Sequence, residues 1–190
     1  GFETYQKIMN EAIEELKENE FKELYESESD IDTKEYVKEL QIDTDFELLF
    51  PDEYINNISE RLNLYNELGN LKTEEELQAF ETKLIDRFGP LPKEAKALLN
   101  SIRIKWIATH MGIEKIVMKQ GKLIGYFVSD QQSDYYNSRQ FSKVLRFVQL
   151  HGNLCKMKEK ETKNGLRLLL TFDNVKSISR ALEFMELMAQ

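Results

Sequence analysis

The segment IEKIVMKQGKLIGYFV, Ile113–Val128, changes the rhythm of the chain. Upstream, apolar residues recur every three or four positions; here they recur about every two, the period of a strand. Gln120-Gly121 interrupts the run and supplies the turn residues of a two-residue hairpin. Beyond it lies a polar loop, SDQQSDYYN (Ser129–Asn137), and Ser138 is placed to cap a helix with Phe141, Val144, Leu145 and Val148 inside, ending at Gly152. LCKMKEKETKNGLRLLLTF (Leu154–Phe172) reads as a second hairpin with Asn164-Gly165 at or near its turn. Asp173 is expected to cap a last helix that buries Ile178, Ala181, Leu182, Met185 and Met188. A strand-strand-helix unit thus occurs twice, with negligible identity between the copies.

On the other side of the segment the pattern is helical. Thr73 stands three residues before Glu76, a capping box at the head of a helix whose stripe is Leu77, Phe80, Leu84 and Phe88. Gly89 fits the end of that helix and Pro90 blocks its continuation. The next helix carries Ala95, Leu98, Leu99, Ile102, Trp106 and His110 on one face and closes at Gly112. The short link predicts a helical hairpin. Before it, Ile58, Leu62, Tyr65 and Leu68 predict a helix ended by Gly69-Asn70, and Tyr36–Phe50 reads as extended. Residues 2–25 form an amphipathic pattern, and ESESDIDTKE (Glu26–Glu35) is acidic and unperiodic. The expected organisation is a helical segment over 1–25, a linker over 26–35 and one domain over 36–190. The fold class is α+β: an N-terminal helix, a helical-hairpin portion, and a small, mainly antiparallel sheet with helices packed on it.

Composition narrows the function. Of 190 residues, 41% are hydrophobic and 11% aromatic, enough for a core. No apolar run is long enough to cross a membrane, and Cys155 is the sole cysteine, so the simplest expectation is a reducing, cytoplasmic setting. The net charge of −8 is uneven: residues 1–60 hold 5 basic and 19 acidic side chains, residues 61–190 hold 21 and 15. The larger part is mildly basic, far from the balance of a dedicated nucleic-acid binder. There is no GxxxxGK, G-x-S-x-G or G-x-G-x-x-G; one cysteine and two distant histidines argue against a zinc site, and the many paired carboxylates of residues 1–60 lie in an acidic tract expected to be too flexible for catalysis. His110 and His151 each stand near a helix end, where a dipole favours them.

Two surface features remain. Lys156, Lys158 and Lys160 alternate onto one strand face with Lys163 nearby, a strip that could meet phosphates or guard an edge strand. Interleaved Glu159 and Glu161, and the lack of an accompanying aromatic platform, favour the second reading. The other feature is KLIDRFGPLP, Lys83–Pro92. At 100° per residue, Asp86 points away from the Leu77–Phe88 stripe, Lys83 lies on the same outer side, and Arg87 sits at the border, where its stem can cover Phe80 or Leu84. An acid in the last turn opposes the helix dipole.

LLFPDEYINNISERLNLYNELGN followed by TEEELQAFETKLIDRFGPLP resembles the C-terminal (TRCF) domain of the bacterial transcription-repair coupling factor family. The matching positions are Pro51, Tyr54, Ile55, Arg61, Leu62, Tyr65, Glu76, Leu77, Leu84, Asp86, Arg87, Phe88, Gly89, Leu91 and Pro92. GFETYQKIMNEAI at the start is similar to the helix that follows the family's motor. The resemblance implies a non-catalytic regulatory domain. Its parent would be an ATP-dependent DNA translocase that removes stalled RNA polymerase and recruits UvrA, with ATP and magnesium confined to a motor outside this chain. It also implies docking on an N-terminal UvrB-like module, so that the UvrA-binding surface is masked. In that contact the outer face of the IDRFG helix supplies acids: Asp86 matches one, Lys83 stands where the other falls, and Glu81 and Arg87 flank them.

Overall fold

The computed structural model describes residues 34–190; the helix expected over 2–25 and most of the expected linker lie outside the described residues. The described elements are β1 (Gln41–Thr44), α1 (Ile58–Gly69), α2 (Glu74–Phe88), α3 (Lys93–His110), β2 (Ile113–Lys119), β3 (Lys122–Phe127), α4 (Arg139–Leu150), β4 (Cys155–Thr162), β5 (Gly165–Phe172) and α5 (Ile178–Ala189). The fold is α+β. Five strands form one sheet in the order β1-β2-β3-β5-β4; β1 runs parallel to β2, and every other pair is antiparallel.

Both hairpins form where the two-residue period ends. Gln120 and Gly121 adopt φ of 53° and 76°, the left-handed pair that matches strand twist. Of the extended stretch 36–50 only four residues become strand, because Asp45 turns the chain: its carboxylate accepts the Gln120 amide at 3.1 Å and its own amide binds the Met118 carbonyl at 3.2 Å. α5 starts later than expected. Ser177, not Asp173, caps it, accepting the Arg180 amide at 3.0 Å. The chain must first cross the β2–β3 hairpin, where Val175 is buried and its amide donates to the Gly121 carbonyl at 2.8 Å.

The described residues form two cores, and α3 serves both. Ala95 and Leu99 face a helical core with Leu64, Leu68, Leu77, Phe80 and Leu84; Ile104 and Ala108, further along, face the core between the sheet and α4 and α5. The single stripe expected on α3 is therefore two stripes. The polar loop before α4 hides the largest fully buried side chain, Tyr135, in a short 3-10 turn, with its hydroxyl donating to the Met111 carbonyl at 2.5 Å. In α4 Phe147 takes the inner place expected for Leu145, which is exposed. On α1 the inner face is Leu64, Tyr65 and Leu68, while Ile58 and Leu62 are 65% and 61% exposed.

Candidate docking face on the helical hairpin

The helices carrying the candidate residues are set by a hydrogen-bonded corner. The Pro51 carbonyl accepts the amides of Tyr54 and Ile55 at 3.0 Å each. Arg61 donates to the Ile55 carbonyl and pairs with Asp52, both at 2.9 Å, which fixes the rotation of α1. The Tyr65 hydroxyl accepts the Phe50 amide at 2.8 Å, and Asn57 caps α1 through the Glu60 amide. The Tyr54 hydroxyl reaches the end of α2, donating to the Gly89 carbonyl at 2.8 Å with Leu84 O at 3.3 Å. Burial, and then the charge of Glu81, raise the Tyr54 pKa, so the hydroxyl keeps the proton it donates.

α2 begins as expected, with the Thr73 hydroxyl accepting the Glu76 amide at 3.1 Å. It packs antiparallel to α3, and Arg103 clamps Glu74 with contacts of 2.8 and 2.9 Å. The Arg103 hydrogen bond holds the Glu74 carboxyl below the usual carboxylate range. Gly89 ends α2 at φ +90°, a conformation costly for side chains with a Cβ.

Between α1 and α2 runs a groove of about 450 Å³, bounded by Glu60, Leu64, Glu67, Lys83, Arg87 and Phe88. Two ion pairs cross it: Lys83 Nζ to Glu67 Oε1 and Arg87 Nη2 to Glu60 Oε1, each at 2.5 Å. Lys83 therefore turns toward α1 instead of sharing the outward aspect of Asp86. Arg87 also pairs across the helices, with its guanidinium over the Phe88 ring at 5.2 Å. Glu81 is half-buried and acts on Tyr54 and Arg103. Asp86 is exposed and, among the described residues, has no hydrogen-bond or ion-pair partner. The four candidates thus part into two that bind α1, one that faces inward and one that faces solvent.

The TRCF domain family model matches residues 44–138, half of the chain. The chain belongs to the TRCF domain family. It is 29% identical to the transcription-repair-coupling factor of Staphylococcus haemolyticus over 96% of the chain and 15% of that relative. Against the transcription-repair-coupling factor of Escherichia coli K12 the identity is 33% over 61% of the chain and 9% of the relative. The chain therefore spans less than a sixth of the length of these relatives. A crystal structure of the C-terminal domain of a transcription-repair coupling factor shares the fold, with a TM-score of 0.61 and 16% identity over 80% of this chain and 89% of that one.

In this TRCF domain most positions that carried the resemblance have a structural task. Ile55, Leu77, Leu84 and Leu91 are buried; Tyr54, Arg61 and Tyr65 bind the corner; Glu76 belongs to the cap. Leu62 and Asp86 are the matched positions left exposed without one. Sequence reasoning missed the bridging acids Glu60 and Glu67, because a pair 16 or 27 positions apart has no local signature. Elsewhere, the His151 ring lies tilted against that of Phe147 with centroids 4.5 Å apart, and Cys155 is buried, which raises its thiol pKa. No described helix is long and apolar enough to cross a membrane.

Proposed function

We propose that this TRCF domain is the regulatory C-terminal part of a cytoplasmic, ATP-driven transcription-repair coupling factor that acts on RNA polymerase stalled on DNA. It docks through the outer face of α2 on an N-terminal UvrB-like module of the same protein and so covers the surface that UvrA uses. The observation that carries the reading is Asp86. It is exposed in the last turn of α2, while the neighbouring cations Lys83 and Arg87 are neutralised by Glu67 and Glu60 of α1. A partner approaching α2 therefore meets an acid whose position is unfavourable for the helix dipole. Such a charge chiefly sets register and specificity with a basic partner, and it suits a contact that must release.

The test is titration of the chain with the separately expressed N-terminal module, followed by UvrA as competitor. Saturable binding that UvrA displaces supports the proposal. No binding, or a ternary complex with UvrA, overturns the masking role.

A further inference from the structure

The helices α3, α4 and α5 cover one face of the sheet, against Ile116, Met118, Leu123, Leu170 and Phe172. The opposite face bears Val117, Ile124 and Tyr126, half-buried and part of neither core cluster, with the buried Leu169 between the strands. Register gives that face its order. Lys115, Tyr126, Leu169 and Lys158 form one row across β2, β3, β5 and β4; Val117, Ile124, Thr171 and Lys156 form the next. Each row spans about 14 Å at the usual strand spacing. Lys160 opposes Arg167 beside the first row.

Two features set this face apart from the lysine strip read in sequence. Glu159 and Glu161 alternate onto the side of Cys155 and Met157, which pack into the core, so they do not dilute the cations of this face. An aromatic ring is also present: Tyr126, half-buried in the middle of the row, with Lys115 Nζ 5.6 Å and the Arg167 guanidinium 5.5 Å from its centroid. The acids near this face are already engaged, Glu114 by Arg167 at 2.7 Å and Asp43 by Lys119 at 2.9 Å. Lys115, Lys156, Lys158 and Lys160 have no carboxylate partner among the described residues.

We infer that this open face binds single-stranded nucleic acid, with Tyr126 stacking on a base and Lys115, Lys156, Lys158 and Lys160 meeting phosphates. Charge selects a polyanion. The ring, beside the half-buried Val117 and Ile124, selects one with unpaired π-faces over a duplex or an acidic polypeptide.

The experiment is fluorescence anisotropy of labelled oligo(dT) titrated with the full chain at several salt concentrations. Four phosphate contacts predict that log K falls with log salt at a slope of about −3. Lys156→Gln with Lys158→Gln should bring the slope to about −1.5. Tyr126→Leu should weaken binding about ten-fold, and Tyr126→Phe should restore it, since only the ring stacks. Melting of each variant confirms its fold. The inference is overturned by the absence of binding at low salt, by affinity indifferent to Tyr126→Leu or to the lysine changes, by a duplex binding as tightly as the single strand, or by polyglutamate competing as well as oligo(dT).

Discussion

Charge at position 86 separates docking from folding, and a graded series can measure both. A unit charge about 4 Å from an opposite one in water contributes about 1 kcal/mol, near five-fold in affinity. Asp86→Asn removes one charge and should weaken binding to the N-terminal module about five-fold. Asp86→Arg changes two and should weaken it about 25-fold at low ionic strength, less at physiological salt, where the Debye length falls to about 8 Å. The fold should barely notice. Asp86 is exposed and without a partner, so reversal breaks no contact among the described residues. Relief of the dipole conflict contributes about 0.3–1 kcal/mol. The melting temperature should therefore move by no more than about 4 °C. Calorimetric titration at two salt concentrations, paired with thermal melts, reads both quantities. Wild-type affinity in both variants with unchanged melting would refute the assignment of Asp86 to the interface.

Two further perturbations test the packing of the domain, one at each core. A Cβ at Gly112 would lie 2.1 Å from the buried Tyr135 ring, at a φ of +86°. Gly112→Ala should thus cost about 3 kcal/mol or more, from left-handed strain plus overpacking; urea unfolding with an unshifted midpoint would show the packing argument to be wrong. Arg103→Gln should cost about 1 kcal/mol near neutral pH, modest because Glu74 is partly exposed. The lowered Glu74 pKa gives the sign: its stabilisation is present above the ordinary glutamate value and disappears as pH falls through the depressed one. The stability gap between wild type and Arg103→Gln should accordingly close with acidification from about pH 4.3 downward, and a gap that widens there contradicts the pairing.

Local chemistry was legible wherever a signal and its consequence lie within a few residues. The Thr73 cap, the Ser138 cap and the Gln120-Gly121 turn are of that kind, because each satisfies backbone groups adjacent in sequence. Ile58, Leu62 and Leu145 were misplaced because an apolar stripe identifies a helix better than its rotation. On α1 the rotation is set by Arg61 and its remote partners Ile55 and Asp52. Tyr135 was hidden because polar neighbours describe the rim of a loop and not the ring beneath it. At the candidate site the outward aspect of Asp86 followed from a helical wheel, whereas the engagement of Lys83 and Arg87 required knowing that α1 lies alongside α2. Glu159 and Glu161 show the reverse error: adjacency in sequence made them look like diluents of a face from which alternation removes them.

The division into two cores gives the two proposed surfaces a testable independence. Asp86 stands on α2, whose buried side belongs to the helical core; Lys156 and Lys158 stand on β4, whose buried side belongs to the sheet core. The cores meet along α3, and the two sites share no partner residue. Substitutions at sites so separated should add within about 0.5 kcal/mol. Asp86→Arg combined with Lys156→Gln and Lys158→Gln should therefore show, for the N-terminal module, the loss of Asp86→Arg alone, and, for oligo(dT), the loss of the lysine changes alone. Coupling beyond that margin in either titration would mean that docking reaches across α3 to the sheet, making the two surfaces one competitive site. In that case closure of the domain on its partner would also exclude nucleic acid.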